Sequence, residues 1–130
     1  MAKRKAVPPL TAAQLEIMNA VWRLGEATVG QVWETLTARR PLARNTVQTV
    51  MARLEEKGWL THRAEGQTFY YAPTVPRQTT LRHMVCDLVD TAFAGSAEGL
   101  VLALLEGRRV TRGEAERIRR IIDDAEGTRR

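Results

Sequence analysis

Apolar positions in this chain recur at helical spacing, give way once to a short alternating stretch, and return to helical spacing for the remaining length. Leu15, Met18 and Trp22 predict a first helix that ends at Gly25, and Thr11 with Gln14 has the Thr-x-x-Gln spacing of a capping box before it. The same device recurs at Thr28 and Gln31, which open a second helix with Val32, Trp33 and Leu36 on its apolar face and Arg39, Arg40 and Pro41 at its close. Val47, Val50, Met51 and Leu54 then fall at i, i+3, i+4 and i+7, a single stripe along a third helix. Gly58 supplies the left-handed residue that ends it. Residues 59–63 and 68–72 are rich in aromatic and β-branched side chains around Ala64, Glu65, Gly66 and Gln67, which predicts two strands and a turn.

Beyond Pro73 and Pro76 the pattern is helical only. Leu81, Met84, Val85 and Leu88 form a stripe that reaches Ala92, with Phe93 just before a break at Gly95. Ser96 caps a short apolar helix that includes Leu100 and Leu104, and Thr111 with Glu114 opens a last helix bearing Ala115, Ile118, Ile121 and Ile122. The expected architecture is therefore mainly α with a small β-hairpin wing. A basic flexible arm occupies residues 1–9, a winged helix-turn-helix residues 10–74, and a helical dimerisation domain residues 75–130. About fifty residues make a marginal core. Leu81, Met84, Val85, Leu88, Leu100, Leu104, Ile118, Ile121 and Ile122 are accordingly expected to pair with a second copy, the alternative being that they fold back on the first domain.

The face of the third helix opposite its apolar stripe carries Arg44, Asn45, Gln48, Thr49 and Arg53. These side chains suit phosphates and base edges, and this is the face a docked helix turns toward a major groove. Charge sharpens the reading. The net charge is +5, and residues 1–73 hold ten Lys/Arg against six Asp/Glu, whereas residues 74–130 hold ten against nine. The surplus sits with the third helix. Arg44, Arg53 and Arg63 are candidates for contacts with a DNA backbone, while Glu65 at the hairpin tip repels phosphate. Asn45 and Thr46 have a competing reading as helix N-caps. One of Phe69 and Tyr70 is expected in the core.

Other chemistry is thin. Cys86 is the single cysteine of 130 residues, so one chain forms no disulfide and assembles no thiolate metal site. His83 and Cys86 are three apart on a predicted helix without a residue to orient the histidine, and Cys86 reads as a small buried apolar side chain. His62 reads as a surface or satisfied histidine, and Asp87, Asp90, Asp123 and Asp124 as a solvated helix face. No catalytic residue, metal or cofactor is expected. The longest apolar run is far below the roughly 20 residues a bilayer span needs, and the start MAKRKAVPPL lacks the apolar core of a signal peptide, so a soluble cytoplasmic protein is expected.

The segments LTAAQLEIMNAVWRLGEATVGQV, ARNTVQTVMARLEEKGWL, EGQTFYYAP and FAGSAEGLVLALLE together resemble the BlaI/MecI-type repressors of penicillinase and related genes, in order and spacing, from Pro9 to Ile122. The resemblance implies a homodimeric transcriptional repressor on a dyad-symmetric, double-stranded DNA operator, with no enzymatic activity. Positions matching the family's DNA contacts are Asn45, Thr46, Gln48 and Thr49, with Arg53 further along the helix. Gln48 is the prime base reader, because its amide pairs bidentately with an adenine edge, and Thr46 and Thr49 are of a length for phosphates or a thymine methyl. A sensor or protease is an expected partner for induction. At the positions of the family's Asn-Phe cleavage bond, however, this chain has Ala103 and Leu104, and the cysteine cluster of copper-responsive members is missing. A winged-helix protein-interaction module is the alternative function.

Overall fold

The computed structural model describes residues 9–129, so the expected basic arm lies, apart from Pro9, outside the described residues. The chain divides into two compact units, the first running through Arg82 and the second beginning at His83. Helix α1 (Ala12–Leu24), helix α2 (Val29–Thr37) and helix α3 (Arg44–Glu56) precede strands β1 (Leu60–Glu65) and β2 (Thr68–Pro73). Both capping boxes form. Thr11 Oγ1 accepts from the Gln14 N–H at 3.1 Å and Gln14 Oε1 from the Thr11 N–H at 3.0 Å; Thr28 and Gln31 repeat the exchange at 3.1 and 2.9 Å. Each box satisfies two helix-end donors and stabilises its start by about 1 kcal/mol.

α1 stops where Gly25 takes φ 83. α3 ends in a Schellman arrangement, with Gly58 at φ 94, its N–H on the Glu55 carbonyl at 3.0 Å, and the Trp59 N–H on the Leu54 carbonyl at 2.8 Å. Between α2 and α3, Trp33 Nε1–H donates to the Leu42 carbonyl at 2.6 Å and holds the turn. The α3 stripe behaves as its spacing predicts: Val47, Met51 and Leu54 are buried and Val50 packs at the edge of the core. In α1 the stripe is turned by about one residue. Ile17, Met18, Ala20 and Val21 are buried, while Leu15 and Trp22 are half-buried. Val32 and Leu36 of α2, Trp59, Leu60 and Tyr71 complete this core.

The strands pair antiparallel from Leu60 opposite Pro73 to Glu65 opposite Thr68. Gly66 takes φ 64 and closes a two-residue turn with Gln67. Ala64 and Glu65, expected in the turn, are therefore strand residues. Ala27 adds a third strand stub, exchanging both backbone hydrogen bonds with Tyr71 at 2.8 Å and placing β2 between two neighbours. This pairing decides which aromatic is core. Neither Phe69, 46% exposed, nor Tyr70 fills that place; Tyr71 does, at 5%. The expectation fails because the Ala27 bridge fixes β2 against the helices at Tyr71, whereas Phe69 lies nearer the hairpin tip.

Helix α4 (Arg77–Ala92) begins in the first unit and continues into the second. Three interactions tie its start to the first unit, beyond the expected boundary at residue 74: Trp22 Nε1–H donates to the Val75 carbonyl, Arg77 Nε to Asn19 Oδ1, and Thr80 is buried. In the second unit α4 is followed by α5 (Ala97–Gly107) and α6 (Arg112–Arg129). Ala94 at φ 52 and Gly95 at φ 84 make the break, and Ser96 Oγ accepts from the Gly99 N–H at 2.9 Å to start α5. Thr111 Oγ1 accepts from the Glu114 N–H at 3.1 Å at the start of α6. Among the described residues no apolar side chain after Tyr71 is fully buried. Cys86 is likewise exposed, contrary to expectation, because this unit has no interior to receive it. Among the described residues no single helix is long and apolar enough to cross a membrane.

Candidate nucleic-acid interface

α3 is anchored from one side only. With Val47, Met51 and Leu54 fully buried, Asn45, Thr46, Gln48, Thr49 and Arg53 on the rest of the helix are all exposed. Asn45, Gln48 and Thr49 are related by i, i+3 and i+4 and form one stripe, and Arg53 continues it a turn later. Ala52, the other exposed residue on this stretch, is too short to block close approach.

The helix start is open. Ala43 is the N-cap, with no side-chain hydrogen bond, and the first turn holds no acidic residue. Asn45 and Thr46 therefore stand inside the first turn and cap nothing. Their side chains make no hydrogen bond or ion pair among the described residues. The N-terminal end of the helix dipole is likewise uncompensated by a carboxylate, which suits a phosphate oxygen.

Arg44 does not lie with the stripe. A Cβ on Gly30 would stand 3.2 Å from Arg44 Nη2, so the guanidinium lies over the first turn of α2, in space that a side chain at position 30 would contest. Arg63 is placed differently again. Its Nε and Nη2 donate to the two Glu26 carboxylate oxygens at 2.8 and 3.0 Å, Nη1 reaches Glu65 at 3.3 Å, and the guanidinium covers the Tyr70 ring at 4.6 Å. The hydrogen bonds from Arg63 hold the Glu26 carboxyl below its ordinary pKa and those of Glu26 hold Arg63 above its own. Arg63, an expected backbone contact, is paired here with two carboxylates.

On the other hairpin face, His62 Nδ1 lies 2.6 Å from Glu55 Oε2 and its ring stacks on Phe69 at 4.1 Å. This fastens the last turn of α3 to the wing. His62 is thus both exposed and paired, in line with the expectation of a surface or satisfied histidine. Among the described residues no group of His, Cys, Asp and Glu is arranged to hold a metal ion. Glu26, Gly30 and Glu55 shape this surface yet carry no local sequence signal, since each acts on a residue of another element.

The sequence model of the penicillinase repressor family matches residues 10–124. The chain belongs to that family. The penicillinase repressor of Bacillus licheniformis is 25% identical over 120 residues, covering 92% of this chain and 94% of its own. The transcriptional regulator BlaI of Mycobacterium tuberculosis (strain CDC 1551 / Oshkosh) is 33% identical over 112 residues, covering 85% and 80%. A solution structure of the DNA-binding domain of the repressor BlaI superposes with a TM-score of 0.51 at 32% identity, over 56% of this chain and 89% of that one. The family and these relatives are described as repressors and transcriptional regulators. The winged-helix fold expected of the first unit is the one observed.

Proposed function

We propose that this chain is a homodimeric transcriptional repressor that reads a dyad-symmetric operator with α3. The observation that carries the reading is the division of α3 into a buried stripe, Val47, Met51 and Leu54, and an exposed one, Asn45, Gln48, Thr49 and Arg53. A helix anchored this way enters a major groove with its N-terminal residues against base edges. Gln48 is assigned to an adenine edge, Asn45, Thr46 and Thr49 to bases or phosphates around it, and Arg53 to the backbone. Arg44 joins the backbone set from its position over α2. Arg63 is reassigned to holding the wing.

The second unit supports the dimer. Val85, Leu88, Leu104, Ile121 and Ile122 are each at least 45% exposed in the single chain, and Leu81, Met84, Leu100 and Ile118 are half-buried. Apolar exposure on this scale marks an interface, and a second copy covers it symmetrically. A two-fold dimer sets half-sites about 34–36 Å apart or a multiple of that.

Selection from a pool of random double-stranded DNA at two salt concentrations tests the reading. Enrichment of palindromic sequences that persists at the higher salt is expected. Retention that is equal for all sequences and collapses with salt sinks it and favours a protein-interaction module.

A further inference from the structure

The first unit carries a cleft of about 840 Å³ that α3 does not border. Its floor is apolar, with Ala20 and Leu36 each 4% exposed, and Trp22 supplies an aromatic wall fixed by its Nε1–H bond to the Val75 carbonyl at 3.0 Å. Its rim is cationic. Arg23 from the last turn of α1, Arg39 just past α2 and Arg77 from the first turn of α4 all border the opening.

Among the described residues no carboxylate is left to neutralise them. Glu16, the one acidic residue of the lining, is taken by Arg40 at 2.6 Å. Asn19 Oδ1 accepts from Arg77 Nε at 3.0 Å, which orients that guanidinium without neutralising it. Arg23 and Arg39 make no ion pair or side-chain hydrogen bond among the described residues. Guanidinium groups present planar forks that match a carboxylate, and an anion relieves their mutual repulsion. The apolar floor and indole wall ask for more than charge, since a bare oxyanion leaves them uncovered.

We propose that this cleft binds a small organic carboxylate with a flat apolar body, its ring against Trp22 and its charge among Arg23, Arg39 and Arg77. Such a ligand ties the ends of α1 and α2 to the first turn of α4.

The test uses the full chain and the indole Nε1–H resonance of Trp22, titrated with sodium benzoate, sodium acetate and inorganic phosphate at constant ionic strength. Benzoate is expected to shift the resonance saturably and to bind at least about tenfold more tightly than acetate or phosphate, because only benzoate buries a ring. Arg39→Gln and Arg77→Gln are each expected to weaken benzoate about tenfold. Arg39 has no side-chain partner to lose among the described residues, so that variant keeps the fold and reads the site alone. The proposal is overturned by a shift that does not saturate, by acetate matching benzoate, by both variants binding benzoate unchanged, or by perturbations that fall on α3 instead of Trp22.

Discussion

Glu26 and Arg63, 37 residues apart in sequence, face each other through two hydrogen bonds, Nε to Oε2 at 2.8 Å and Nη2 to Oε1 at 3.0 Å. The pair joins the segment between α1 and α2 to β1. It runs beside the Ala27 to Tyr71 backbone bridge, so the wing is fastened twice at one place. Both side chains are solvent-exposed, and the pair contributes through geometry more than through energy.

That geometry has a pH signature. Arg63 holds the Glu26 carboxyl below its ordinary value, so the unfolded chain takes up this proton first as pH falls. The stabilisation is present above the unfolded value near 4.5 and is lost as pH drops through the lower folded value. Glu26→Gln is expected to flatten the acid limb below the unfolded value of 4.5, measured as Tm against pH. Identical slopes for the parent and the variant refute the assignment.

Gln48 stands at the middle of the exposed α3 stripe, where no group among the described residues competes for its amide. Gln48→Ala is expected to weaken binding to the cognate operator by about 1–3 kcal/mol and to relax the preference at one base pair. Titrating the variant against operators changed at single positions checks this. A loss of equal size on every sequence removes Gln48 from the base-reading set.

Arg53 and Arg63 both enter the sequence reading as backbone contacts, and the structure separates them. Arg53 has no carboxylate partner among the described residues, whereas Arg63 has two. Arg53→Ala is expected to lower the slope of log K against log salt by about 0.9, and Arg63→Ala by less than half of that. Equal slope changes would mean that the Glu26 pair opens when DNA binds.

The helices were legible because their signals are local. Capping boxes at Thr11 and Thr28, the left-handed Gly25 and Gly58, and the apolar stripe of α3 each act within a few residues of where they are read. What escaped was set by contacts distant in sequence. The choice of Tyr71 over Phe69 and Tyr70 depends on Ala27, 44 positions earlier in the chain. The commitment of Arg63 depends on Glu26, and the placement of Arg44 on the missing side chain of Gly30. The exposed face of α3 was legible for a different reason. Its residues are defined by what they do not touch, and the buried stripe alone determines them.

The exposed apolar residues of the second unit admit a test that leaves the first unit untouched. Leu88 on α4 and Leu104 on α5 are 45% and 49% exposed in the single chain. Replacing both with glutamate removes little packing within one chain but puts two carboxylates per copy into the proposed two-fold interface, where desolvation opposes association. The doubly substituted chain is expected to sediment at the mass of one copy, 14.6 kDa, with its helical signal retained. Its affinity for a full dyad should fall by at least about 100-fold while its affinity for an isolated half-site stays the same, since only the linkage between the two heads is lost. A variant that still sediments as a dimer places the interface elsewhere. One that loses half-site binding as well shows that the substitutions reached the DNA-reading unit.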